Sequence, residues 1–132
     1  MVADYPMTIA ALMAAILVCI YAGIKVGQAR GRFRVAVPHT TGHPIFERVF
    51  RAHQNTLEQF LSFLPLLGLV ALFFGDRFAA LYGGLWVIGR IWFIEGYARD
   101  AAKRVPGFMI SALSTWLALL ACAIALAMQL LA

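Results

Sequence analysis

Apolar residues run along this chain in four long blocks, not in alternation. The first covers residues 7–24 and is interrupted by little more than Thr8. That is close to the roughly 20 residues a bilayer-crossing helix needs. The stretch before it carries Asp4 and neither Lys nor Arg, so it reads as a retained span and not a cleaved leader. The second block, residues 60–74, is closed by Gly75 and Asp76. Its helix begins much earlier. Pro44 suits a first turn, Glu47 suits the positive end of the helix dipole, and no Gly or Pro interrupts 45–64. Such a helix is roughly 45 Å long, enough to cross a membrane and project beyond it. Pro65 should bend it locally. The third block covers 78–94, with helical character expected to continue to Val105, where Pro106 and Gly107 break it. The fourth, 108–131, holds no charge.

The pattern predicts an all-α fold, an integral membrane four-helix bundle. Its spans lie at about 7–25, 44–74, 77–105 and 107–131 of a single transmembrane domain over 1–132. Strand-based spanning is disfavoured, because barrels show short alternating segments. The longest irregular piece is the loop expected over 25–44. Long loops in compact proteins are more often functional than idle.

Composition removes the remaining classes. Of 132 residues, 63% are hydrophobic and 13% charged, which excludes both a single soluble domain and a disordered chain. Cys19 and Cys122 each sit in an apolar stretch without CxxC spacing and read as buried thiols. The net charge of +5 matters less than its placement. Lys25, Arg30, Arg32, Arg34, Arg48 and Arg51 fall between spans one and two; Arg99, Lys103 and Arg104 fall between spans three and four. The other side holds only Asp4, Asp76 and Arg77. Positive loops stay cytoplasmic, so both termini are expected on the opposite side. Topology and contact with anionic lipid account for Arg32, Arg34, Arg99 and Lys103.

Asn55, Glu58 and Arg90 need another account, because an ionisable group in hydrocarbon is costly unless it meets a partner or a wet cavity. At about 100° per residue, Glu47, Arg51, Asn55 and Glu58 share one face of helix two. Arg90, Phe93, Tyr97 and Arg104 share one sector of helix three, read as continuing that far. Two such stripes on neighbouring helices build a polar pocket at the cytosolic end. The plainer alternative is that Glu58 and Arg90 pair and lock the helices together. Arginines clamp carboxylates and Glu58 accepts an ammonium group, so the matching ligand is a small zwitterion with more than one carboxylate, such as a peptide. A phosphate ligand would want a Gly-rich cradle, and a nucleic acid would want exposed aromatics among the cations; neither is present. His39 and His43 have a spacing that suggests metal, but no Cys or carboxylate completes a set, so no metal site is expected. Trp86, Trp92 and Trp116 read as packing or interfacial anchors, and Gly83–Gly84 as a place of close helix approach.

The run Phe46-Glu47-Arg48-Val49-Phe50-Arg51-Ala52-His53-Gln54-Asn55-Thr56-Leu57-Glu58 strongly resembles the signature of the MAPEG family, the membrane-associated proteins of eicosanoid and glutathione metabolism. Arg90 with Glu95-Gly96-Tyr97-Ala98-Arg99 and Arg104 resembles its second half, and Phe33-Arg34-Val35 with Thr40-Thr41-Gly42 its first loop. The likeness covers about residues 25–104. It lies nearest the branch holding leukotriene C synthase and some microsomal glutathione transferases.

The resemblance implies a homotrimer with glutathione as co-substrate, bound between adjacent subunits. It implies that Arg51, His53, Asn55, Glu58, Arg90 and Tyr97 bind the tripeptide, with Arg30 reaching in from a loop. It implies that Arg104 is catalytic, favouring the glutathione thiolate. A free thiol has a pKa near 8.5, and lowering it by about two corresponds to roughly 2.7 kcal/mol. The thiolate then attacks a lipophilic electrophile, or a hydroperoxide, arriving through the bilayer. Such an activity is of a detoxifying kind, in a bacterial inner membrane with the site facing the cytosol.

Phe93 stands where that branch commonly has Tyr, and Gly31 where the synthase has a second Arg, with Arg32 beside it. His53 and Gln59 also differ from the synthase, so its lipid epoxide is not carried over. Two rivals are weighed. A non-catalytic lipid-binding member like the five-lipoxygenase activating protein should have lost Arg51, Asn55, Glu58, Tyr97 and Arg104. A small four-span multidrug exporter needs a carboxylate in span one, and residues 7–24 have none.

Overall fold

Apolar blocks this long can satisfy their backbone groups inside a bilayer only as helices or a closed barrel, and here each becomes a helix. The computed structural model describes residues 4–132; positions 1–3 of the domain expected over 1–132 lie outside the described residues. Helix α1 is Pro6–Phe33, α2 Pro44–Phe74, α3 Asp76–Arg99 and α4 Val105–Leu131. A 3-10 turn, Ala101–Arg104, joins α3 to α4. Every described element is helical, and four helices are long and apolar enough to cross a membrane.

Two boundaries differ from the sequence expectation. The loop expected from residue 25 begins only after Phe33, so Lys25, Arg30 and Arg32 are helical. Packing explains the extension: Val26 and Ala29 are buried in one cluster with Phe46 and Val49 of α2. That gain outweighs the low helix propensity of Gly27 and Gly31. Arg34 then closes α1 in a left-handed conformation, and His43 opens α2, its ring accepting the Ile45 N–H at 3.2 Å. The second difference is that α3 stops at Arg99. Asp100 is extended, and its carboxylate accepts the Ala102 N–H at 2.8 Å, which favours a turn over continued helix. Pro106 sits in the first turn of α4, where its missing N–H costs nothing.

The α2–α3 connection is the single residue Gly75, at φ +84°, a backbone setting that disfavours any side chain. The next residue, Asp76, reaches across to α1. Its carboxylate accepts the Met7 and Thr8 N–H groups at 3.1 and 2.7 Å and the Thr8 hydroxyl at 2.8 Å. These are otherwise unpaired donors of the first turn of α1.

Helix α3 packs against the other three. Trp86, fully buried, stacks on Phe63 of α2 with ring centroids 4.3 Å apart. Against α4 the approach is closer still. A Cβ at Gly107 would lie 2.2 Å from the Phe93 backbone nitrogen and 2.6 Å from the Gly89 carbonyl oxygen. Of the pair Gly83–Gly84, only Gly83 meets a neighbouring helix, its Cβ position 2.7 Å from that of Ala11. Gly107→Ala is expected to separate α3 from α4 and to cost about 2 kcal/mol, read as a lowered unfolding midpoint in detergent. Gly84→Ala, facing open space, is the control that should cost far less.

Candidate functional site

The guanidinium of Arg90, on α3, has no exposure at all. A charge so placed must be surrounded by acceptors. Nε and Nη2 donate to the Ser111 hydroxyl of α4 at 3.1 and 2.7 Å, and Nη1 donates to Asn55 Oδ1 of α2 at 2.8 Å. The Phe93 ring lies over the guanidinium carbon at 4.3 Å. Ser111 in turn lies within reach of the Gly107 and Phe108 carbonyl oxygens, at 3.2 and 3.1 Å. Glu58 is exposed, so Arg90 ties three helices through amide and hydroxyl, and the Glu58–Arg90 lock is not what the structure contains.

The consequence for Asn55 is directional. With Oδ1 taken by Arg90, its NH₂ group is left as the free donor. Beside it opens a cleft of ≈ 240 Å³ walled by Arg51 and Asn55 of α2, Phe93 and Tyr97 of α3, Arg104 of the 3-10 turn and Phe108 of α4. Arg51 is exposed and steadied by Gln54, whose Oε1 accepts from Nη1 at 3.1 Å. The Arg104 guanidinium carbon stands 5.3 Å from the Tyr97 ring centroid, and its Nη1 donates to the Ala101 carbonyl at 2.5 Å. Arg104 also immediately precedes α4, so the positive end of that helix dipole adds to its charge. Two cations, an amide donor and a phenol face the opening, and no carboxylate lines it. Such a lining is suited chemically to anionic oxygen or sulfur.

The structure thus brings Arg51, Asn55, Tyr97 and Arg104 to one cleft and sets Arg90 directly behind it. Arg104 comes from the turn and not from a continued helix three. Three other residues singled out in the sequence stand elsewhere. Glu58 lies one turn deeper, on the exposed face of α2. His53 points the other way: its Nε2 is 3.6 Å from where a Cβ of Gly23 in α1 would be. Arg30 is in the last turn of α1, donating to the His39 carbonyl at 2.7 Å, with its guanidinium 4.9 Å from the Phe46 ring. Sequence reasoning missed Ser111 and Phe108. The available signal was the cluster Ser111, Ser114 and Thr115, the hydroxyls of a largely apolar span, which share one helical face. His43 is occupied as the cap of α2 and stacks on Phe33 at 3.9 Å.

An uncharacterized protein of Synechocystis is 46% identical over 92 residues, 70% of this chain and 67% of its own length. Leukotriene C4 synthase of Bos taurus is 40% identical over 102 residues, 77% of this chain and 68% of its own. Microsomal glutathione S-transferase 2 of Homo sapiens is 40% identical over 91 residues, 69% of this chain and 62% of its own. The profile of the MAPEG family matches residues 8–125. The chain is an integral membrane protein and belongs to the MAPEG family.

Proposed function

We propose that this protein is a membrane-bound glutathione transferase that stabilises the glutathione thiolate and joins it to lipophilic electrophiles. The observation that carries the reading is the convergence of Arg51, Asn55, Tyr97 and Arg104 on one cleft without a carboxylate. Names of two of the similar proteins, a glutathione S-transferase and a leukotriene C4 synthase, point the same way. Arg51 and the Asn55 amide take carboxylate or carbonyl oxygens of the tripeptide, and Tyr97 adds a hydroxyl. Arg104, at the positive end of α4, faces the sulfur and lowers its pKa; the thiol proton leaves to water. The thiolate then forms a carbon–sulfur bond with an electrophile held in the bilayer, displacing a leaving anion or opening a strained ring whose oxygen takes a proton from water. With a hydroperoxide it attacks the terminal oxygen, and the O–O bond breaks to give alcohol and glutathione sulfenic acid. A second glutathione converts the latter to disulfide and water.

The working unit in this proposal is a homotrimer with the tripeptide between adjacent subunits. Arg30 and His53 stand away from their own chain's cleft, and in this proposal they serve a neighbour's. Glu58, exposed on α2, is free to accept the tripeptide's ammonium group there. The charge placement supports a cleft opening to the cytosol, with both termini opposite, in a bacterial inner membrane.

The test is a conjugation assay with purified protein in detergent, glutathione and a chromogenic electrophile such as 1-chloro-2,4-dinitrobenzene. Glutathione-dependent product well above the uncatalysed rate is expected. Retention on glutathione-agarose without turnover of any electrophile or hydroperoxide would defeat the transferase reading.

A further inference from the structure

On the other side of α3 from the cleft, the seam between α1 and α3 contains two adjoining hollows. At the arginine-rich end, a cavity of ≈ 450 Å³ has Lys25, Gln28 and Arg32 of α1 and Glu95 and Arg99 of α3 in its wall. Directly deeper, an apolar groove of ≈ 370 Å³ runs between Ala14, Leu17 and Tyr21 of α1 and Val87 and Ile91 of α3. Tyr21 and Glu95 mark the boundary. The Tyr21 phenol donates to the Glu95 carboxylate, and Lys25 Nζ pairs with the same oxygen at 2.5 Å. From Glu95 down to Val87 the groove descends about 12 Å along the helix axis, the depth of several methylene groups.

The charges in the upper cavity are unequal. Three cations face one carboxylate, and that carboxylate is already engaged by Lys25. Arg32 and Arg99 are exposed and have no salt bridge among the described residues. Guanidinium groups hold phosphate oxygens in pairs, and basic pockets between membrane helices suit anionic head groups. Polar cavity above and greasy groove below also follow the order of head group and acyl chain in a bilayer leaflet. None of these residues lines the thiol cleft.

We propose that the α1–α3 seam is a binding site for one anionic phospholipid. Its phosphate lies between Arg32 and Arg99, the Gln28 amide donates to the head group, and one acyl chain fills the groove below Tyr21. A zwitterionic lipid binds less well, since its ammonium group meets the excess positive charge.

Native mass spectrometry on the detergent-purified, delipidated full chain tests this, with phosphatidylglycerol and phosphatidylcholine as probes. Phosphatidylglycerol should be retained in preference to phosphatidylcholine. The Arg32→Gln/Arg99→Gln double variant should bind it about thirty-fold more weakly. Ala14→Phe, at a half-buried groove position, should weaken it with both arginines in place. Equal retention of the two lipids overturns the proposal, as does undiminished binding by either variant. Displacement of the lipid by millimolar inorganic phosphate overturns it too, because the cavity is then a free-phosphate site that makes no use of the groove.

Discussion

Arg104→Ala is expected to lower the ultraviolet thiolate absorbance of bound glutathione about twenty-fold at pH 7. The figure follows if the sulfur pKa returns from about two below its ordinary value to about 8.5. The sign is testable separately. Conjugation by the variant should climb about tenfold per pH unit up to that pKa, whereas the parent protein should already be near its plateau at neutral pH. Glutathione binding should survive, because Arg51, Asn55 and Tyr97 remain on the wall of the cleft. Arg104→Lys should keep part of the thiolate signal: a cation stays at the start of α4, but the guanidinium that reaches the Ala101 carbonyl is lost. An unchanged signal and pH profile in Arg104→Ala would remove Arg104 from the chemistry.

Ser111→Ala should destabilise the bundle by about 3 kcal/mol, measured as unfolding in mixed micelles. The substitution deletes one hydroxyl that accepts two hydrogen bonds from a fully buried guanidinium. The charge stays, and stripping acceptors from a buried charged donor costs more than breaking a neutral pair. Arg90→Met supplies the contrast. Removing the charge together with its need for partners should be nearly neutral for stability. It should still weaken glutathione binding, because Asn55 then loses the contact that fixes its Oδ1 and turns its NH₂ toward the cleft. A double variant, Arg90→Met with Ser111→Ala, should be more stable than Ser111→Ala alone. If it is not, the cost of Ser111→Ala arises from packing and not from the buried charge.

Helical periodicity made much of the cleft legible. Arg51 and Asn55 lie one turn apart on α2, and Tyr97 faces them from α3 because the two helices are antiparallel neighbours. Those relations follow from about 100° per residue and a short connection, both visible in the chain. Arg104 was placed on the right side by a wrong route. Reading helix three through to Val105 puts it in the Tyr97 sector, whereas Asp100 ends the helix and a 3-10 turn carries Arg104 to the same opening. The capping competition by Asp100 is a local hydrogen bond of the kind hydropathy does not register. What periodicity could not supply was pairing. Glu58 and Arg90 look like natural partners in a list of intramembrane charges, yet a rotation of α2 decides the matter, and that rotation is set by burial of Ala52, Thr56 and Phe63. The length of α1 was hidden for a similar reason. Hydropathy falls after Ile24, where a loop is expected, and contact with Phe46 and Val49 keeps the helix wound beyond it.

The one-residue joint at Gly75 has a further consequence. Two rods linked without slack cannot slide past one another, so the heights of Arg51 and Asn55 relative to Tyr97 are set at the far end of the molecule, before any guest arrives. Asp76, the residue after the joint, extends the same restraint to the start of α1. The short stretch from Asp100 to Arg104 is the one wall of the cleft not anchored in a long helix. In the proposed function, fidelity toward the tripeptide therefore rests on the stiff hairpin.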